Sequence, residues 1–151
     1  MDTTDVAAIR AITDELEIRN TLARLAHLAD TLPMDDIDEY VSIFTEDAAW
    51  AVLASGPLPA QERHGRAEIL AAARDRRETG VQGPGSNRRH VISTTAIELE
   101  AADRALARSY WQLIEETDAE RPVIGGIGEY RDTFVRAPDG WKLARREIIF
   151  G

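Results

Sequence analysis

The stretch SNRRHVISTTAIELE, residues 86–100, is where the hydrophobic period of the chain changes. Upstream, apolar residues recur at helical spacing; within it and beyond, they alternate with a period of two, as half-buried strands do. Its own alternation sets His90, Ile92, Thr94 and Ala96 on one face and Val91, Ser93, Thr95 and Ile97 on the other. Both faces are mixed, so the pattern alone does not say which is inside.

Working outward, three more period-two runs follow, giving strands at about His90–Glu100, Leu106–Glu116, Gly125–Arg136 and Trp141–Phe150. Turns at EAADR, TDAERP and APDGW separate them. Upstream, Ile18, Leu22, Leu25 and Ala29 step along one face of a helix from Val6 to Ala29, with Thr13 as a candidate break. Pro33 biases Leu32 out of helix, and Asp35 is placed to cap a second, short helix ending near Phe44. AAWAVLA is a strand candidate, SGPLPAQERHG reads as a loop because prolines and glycines interrupt any period, and a third helix covers Arg66–Glu78. Helices first and antiparallel strands after is the pattern of an α+β domain. A curved sheet with helices across one face forms a cone with an internal cavity.

The chain has 151 residues, 44% of them hydrophobic, which suits one domain over 1–151. The net charge of −9 repels phosphate backbones, so nucleic acid is not an expected partner. No apolar run is long enough to cross a membrane, and MDTTD lacks the features of a secretory signal. Without cysteine there is no disulfide framework, and a cytoplasmic location is expected.

Few residues offer chemistry. Asp30 follows Ala26 by four and Leu22 by eight, which carries a carboxylate along the apolar face to the negative end of the first helix. It is either paired there or a solvated acid at a frayed end. His90 is a candidate general base if it faces the cavity with Ile92, and a structural histidine otherwise. In the last strand, either Arg145 or Arg146 faces inward if the strand is regular, and needs an anionic partner, either a substrate or Asp132 or Glu129. Trp50, Tyr110, Trp111 and Tyr130 are candidate pocket walls or ordinary core. His27 and His64 are weaker candidates, and the histidine spacing fits no metal site. The glycines of GGIGEY fall inside a strand and suggest a bend or bulge.

The segments EIRNTLARLAHLADTLPMDDIDEYVSIFTEDAAW (17–50), HGRAEIL (64–70), NRRHVIS (87–93) and GIGEYRDTFVRAPDGWKLARREI (126–148) resemble the SnoaL-like proteins of the nuclear transport factor 2-like superfamily. The resemblance implies a cone-shaped curved antiparallel sheet with three helices around an apolar pocket. Its layout is similar to that of the superfamily's cofactor-free lyases, including scytalone dehydratase, bile acid dehydratase and hexachlorocyclohexane dehydrochlorinase. It implies an aspartate–histidine pair at Asp30 and His90, with Arg146 as the inward arginine balancing negative charge. Ala29 stands where scytalone dehydratase has a tyrosine, and its second histidine has no counterpart here, so scytalone is not the implied substrate. The expected activity is a lyase or isomerase reaction, without metal or organic cofactor, on a small, largely apolar molecule. The alternative is a non-catalytic ligand-binding protein or an assembly subunit like those of aromatic-ring dioxygenases. A homodimer or homotrimer is expected in either case, because the outer sheet face carries apolar residues.

Overall fold

The computed structural model describes residues 2–151. Helix α1 runs unbroken from Thr3 to Thr31, opened by a capping box in which the Asp2 and Asp5 side chains accept backbone N–H groups. Thr13 does not break it: the hydroxyl donates back to the Ile9 carbonyl, which keeps the residue inside the helical ladder. After Pro33 comes a 3-10 turn, Met34–Asp36, and then the short helix α2, Ile37–Val41. Asp35 lies in that turn, and no side chain caps α2.

Strand β1 (Phe44–Val52) leads through a loop to β2 (Gln61–His64), which lies within the stretch expected to be irregular. Helix α3 (Gly65–Glu78) then precedes four long strands: β3 (Arg89–Ala101), β4 (Arg104–Glu115), β5 (Val123–Ala137) and β6 (Gly140–Phe150). They form one curved, unclosed sheet in the order β2-β1-β6-β5-β4-β3. The sheet is mixed, not wholly antiparallel, because β1 pairs with β6 in parallel. The intervening segment crosses over and brings β1 back beside the C-terminal strand.

Two bulges decide which residues face the helices. In β3, Ser93 and Ala96 pair with Tyr110 and Arg108, three steps against two, and Thr94 takes a positive φ of 51°. His90 and Ile92 on one side of this bulge therefore share a face with Thr95, Ile97 and Leu99 on the other. In β6, Leu143 and Arg145 oppose Phe134 and Thr133, so Ala144 is the extra residue. Trp141, Leu143, Arg146 and Ile148 all turn inward as a result. Strict alternation fails in both strands, which is why the sequence showed mixed faces.

The larger core cluster packs Ile18, Leu22 and Leu25 of α1 and Ile69 of α3 against Phe44, Phe134, Trp141 and Leu143. Each such side chain contributes about 1.5–3 kcal/mol by burial. A smaller cluster unites Val52, Trp111, Tyr130 and Ile148. Gly128 makes that second cluster possible: a Cβ there would meet the Ile149 carbonyl oxygen at 1.9 Å and the Trp111 ring at 2.9 Å.

Candidate active site

Asp30 sits in the last turn of α1 and is only 4% exposed. A carboxylate there meets the negative end of the helix and loses water, so it needs donors. Strand β3 supplies two from one residue. The His90 backbone N–H donates to Asp30 Oδ2 at 2.8 Å, and His90 Nδ1 lies 2.6 Å from Oδ1. A carboxylate only accepts, so the contact assigns a ring proton to Nδ1, and a neutral imidazole held this way carries its lone pair on Nε2. Among the described residues Nε2 has no hydrogen-bond partner. The helix end that carries Asp30 is itself held by Arg77, which donates to the Leu28 and Leu32 carbonyls, and by the Gly83 N–H, which donates to Ala29.

Arg146 reaches the interior because of the Ala144 bulge, while Arg145 stays outside with Glu62 and Glu147. Its Nε and Nη2 donate to the two oxygens of buried Asp132, each at 2.8 Å. Burial works to lower its pKa, but the Asp132 charge and hydrogen bonds outweigh that and hold the guanidinium protonated. The pair is thus neutral as a unit, the internal salt bridge weighed above, and Arg146 does not present a free positive charge. The guanidinium also lies 4.0 Å over the Tyr130 ring. Burial pushes the Tyr130 phenol up to about 12, so it is a hydrogen-bond donor at neutral pH.

His90, Tyr130 and Arg146 line a cavity of about 70 Å³ whose wall also includes Tyr40, Trp50, Arg76, Gln82, Ile92 and Ile148, with Asp30 and Asp132 behind them. The structure therefore brings Asp30, His90, Arg146, Trp50 and Tyr130 together. Trp111 does not line the cavity; it stacks on Tyr130 with ring centroids 5.7 Å apart and backs the wall. Tyr110 is not a pocket residue. It is 56% exposed, because it alternates with the inward Ser109 and Trp111 and so falls on the outer face of β4. His27 and His64 are exposed and away from the cavity. Among the described residues no group of three or more His, Asp or Glu side chains is placed to hold a metal ion. No helix is long and apolar enough to cross a membrane.

Residues 10–147 match the model of the SnoaL-like domain. The chain belongs to the SnoaL-like domain family. No curated protein matches it in sequence. Among solved structures, this SnoaL-like domain is similar to a nuclear transport factor 2-like protein with a cystatin-like fold from Novosphingobium aromaticivorans, at 27% identity and a TM-score of 0.79 over 99% of this chain and 90% of that one. It resembles ActVI-ORFA from Streptomyces coelicolor at 25% identity and a TM-score of 0.68, covering 90% of this chain and 96% of that one. A candidate scytalone dehydratase from Novosphingobium aromaticivorans shares the fold at 21% identity and a TM-score of 0.73, over 95% and 88% of the two chains.

The SnoaL-like cavity contains three polar residues that sequence reasoning passed over. Tyr40 lies in a helix of five residues, too short to show a period. Arg76 belongs to the charged run ARDRRE, which looks like a solvated helix face, and Gln82 to the glycine-rich connection after it. The return of that connection to the end of α1, through the Gly83–Ala29 hydrogen bond, brings Gln82 to the cavity, while α3 lays Arg76 over Trp50 of β1.

Proposed function

We propose that this SnoaL-like protein is a cofactor-independent lyase or isomerase that removes a proton from carbon next to a carbonyl group. The observation that carries the reading is the double contact of Asp30 with His90, which fixes the ring and leaves its other nitrogen unpaired on a residue that lines the cavity. His90 Nε2 takes the proton, and Asp30 stabilises the imidazolium that forms. The enolate oxygen accepts hydrogen bonds from the Tyr130 hydroxyl and from Arg146 Nη1, which makes no hydrogen bond to the protein among the described residues. The imidazolium then returns its proton, either to a departing hydroxyl, which leaves as water, or to another carbon. The first outcome is a dehydration and the second an isomerisation.

General base catalysis contributes about 10²–10⁴-fold, and orientation in the cavity must supply the rest. The family membership and the scytalone dehydratase fold relative support this class of reaction. A ligand carrier or assembly subunit has no use for a buried carboxylate that fixes an imidazole tautomer.

The test is a screen of β-hydroxy carbonyl compounds for the absorbance of a conjugated product, run beside NMR detection of deuterium uptake at the α-carbon. Activity that survives His90→Ala unchanged would overturn the reading.

We also propose that a second copy of the chain covers the outer face of the sheet. Tyr110, Ile124 and Ile127 are exposed there on adjacent strands β4 and β5, next to Val91 of β3.

A further inference from the structure

We propose that Arg76 is a carboxylate-binding residue at the mouth of the Asp30–His90 cavity, so that the molecule processed there carries a carboxylate as well as its reactive carbonyl or hydroxyl. This rests on the reading of that cavity as the reactive site. Arg76 and Trp50 line both the cavity and an open groove of about 630 Å³ outside it, which Leu58, Gln61 and Ala72 help to form. The two spaces meet at this pair. At about 70 Å³ the cavity is far smaller than the roughly 300–1,000 Å³ of usual ligand pockets, so a substrate of ordinary size extends past Arg76 into the groove.

Arg76 is half-buried and held flat from two sides. Its guanidinium lies 5.5 Å from the Trp50 ring centroid, and its Nε donates to Gln82 Oε1 at 2.9 Å. Both terminal nitrogens lack hydrogen-bond partners among the described residues, and Arg76 forms no ion pair with them. Its neighbour Arg77 shows the contrast: all three of its nitrogens donate to backbone carbonyls. In a chain with 27 acidic and 18 basic side chains, a half-buried cation without a carboxylate is a position left open for one. The groove's own acids, Glu68 and Asp75, make no ion pair with it; Glu68 accepts the His64 N–H instead.

The free edge of Arg76 presents two parallel donors, which match the two oxygens of a carboxylate. Arg76 lies in the last turn of α3, where the helix dipole opposes any anion and opposes a phosphate dianion about twice as strongly as a singly charged carboxylate, so the carboxylate is the better fit. Arg146 cannot take this role, since Asp132 already occupies it.

The full chain is titrated with benzoate and with methyl benzoate, followed by tryptophan fluorescence because Trp50 stacks on Arg76. Wild type is expected to prefer benzoate by about tenfold or more, as a charge-assisted contact predicts. Arg76→Gln is expected to lose that preference, Arg76→Lys to keep part of it, and His90→Ala to keep it in full. No preference in wild type, or an equal preference in Arg76→Gln, overturns the proposal. Loss of preference in Arg76→Gln together with full turnover by His90→Ala leaves carboxylate binding standing and removes the proton-transfer reading alone.

Discussion

Asp30 holds His90 by backbone and by ring at once, one carboxylate oxygen to each, at 2.8 and 2.6 Å. Strand β3 therefore cannot shift relative to the end of α1 without also turning the imidazole. Asp30→Asn retains the shape but has one acceptor oxygen for the two His90 donors, so with its oxygen on the backbone N–H it turns its NH2 toward Nδ1 and disturbs the tautomer more than the fold. We expect turnover to fall by about 10²–10⁴-fold in both Asp30→Asn and His90→Ala, with circular dichroism little changed. Nitrogen-15 NMR of the imidazole, reporting which ring nitrogen is protonated, checks the assignment directly.

Arg146 and Asp132 form a buried bidentate pair, so removing either partner strands a charge. Asp132→Asn and Arg146→Met are each expected to cost about 3–5 kcal/mol in urea unfolding, and the double variant less than their sum. Additive effects would mean that the two side chains are not coupled.

Tyr130→Phe removes a hydroxyl without changing the packing against Trp111 and Ile148. Stability is expected to change by under about 1 kcal/mol, while turnover falls. The pH dependence has a definite sign. The folded pKa, about 12, lies above the ordinary value of 10.0, so the native state keeps a proton that the unfolded chain loses. The Tyr130 contribution is fully present below pH 10 and declines as pH rises toward 12. Tyr130→Phe should show a shallower loss of stability across that window than wild type.

The outer sheet face gives a prediction independent of chemistry. Ile124→Lys combined with Ile127→Lys places charges in the exposed apolar patch and is expected to shift the protein toward monomer by light scattering. A wild-type protein that is already monomeric at high concentration would contradict the proposed second copy.

The order of helices and strands is legible because α1 and the four long strands are long enough for their periods to register. β2 was not, since four residues beside Pro57 and Pro59 show no alternation and are ordered mainly by pairing with β1. The site was legible in part. Asp30 and His90 stand out because each is chemically awkward on the face its spacing predicts. The partner of Arg146 lay among the alternatives, but its inward aim could not be derived from alternation, since the bulge at Ala144 breaks the period. Arg76 and Gln82 carried no signal, because one depends on how α3 packs over Trp50 and the other on a loop returning from α3 to α1.

The bulges at Thr94 and Ala144 fall where the interior changes character. Before Ala144, Trp141 and Leu143 belong to the larger cluster; after it, Ile148 belongs to the smaller one around Tyr130. In β3 the assignment mirrors this: Ile92 packs with the smaller cluster, and Ile97 and Leu99 with the larger. Each extra residue thus acts as a parity change between two packed clusters joined through Trp50, a base that holds the cone together and a chamber around Tyr130. Were the strand to keep Ala144 and alternate strictly, Arg146 and Ile148 would lie on the outside, whereas deleting Ala144 would straighten the strand and leave both of them facing the chamber.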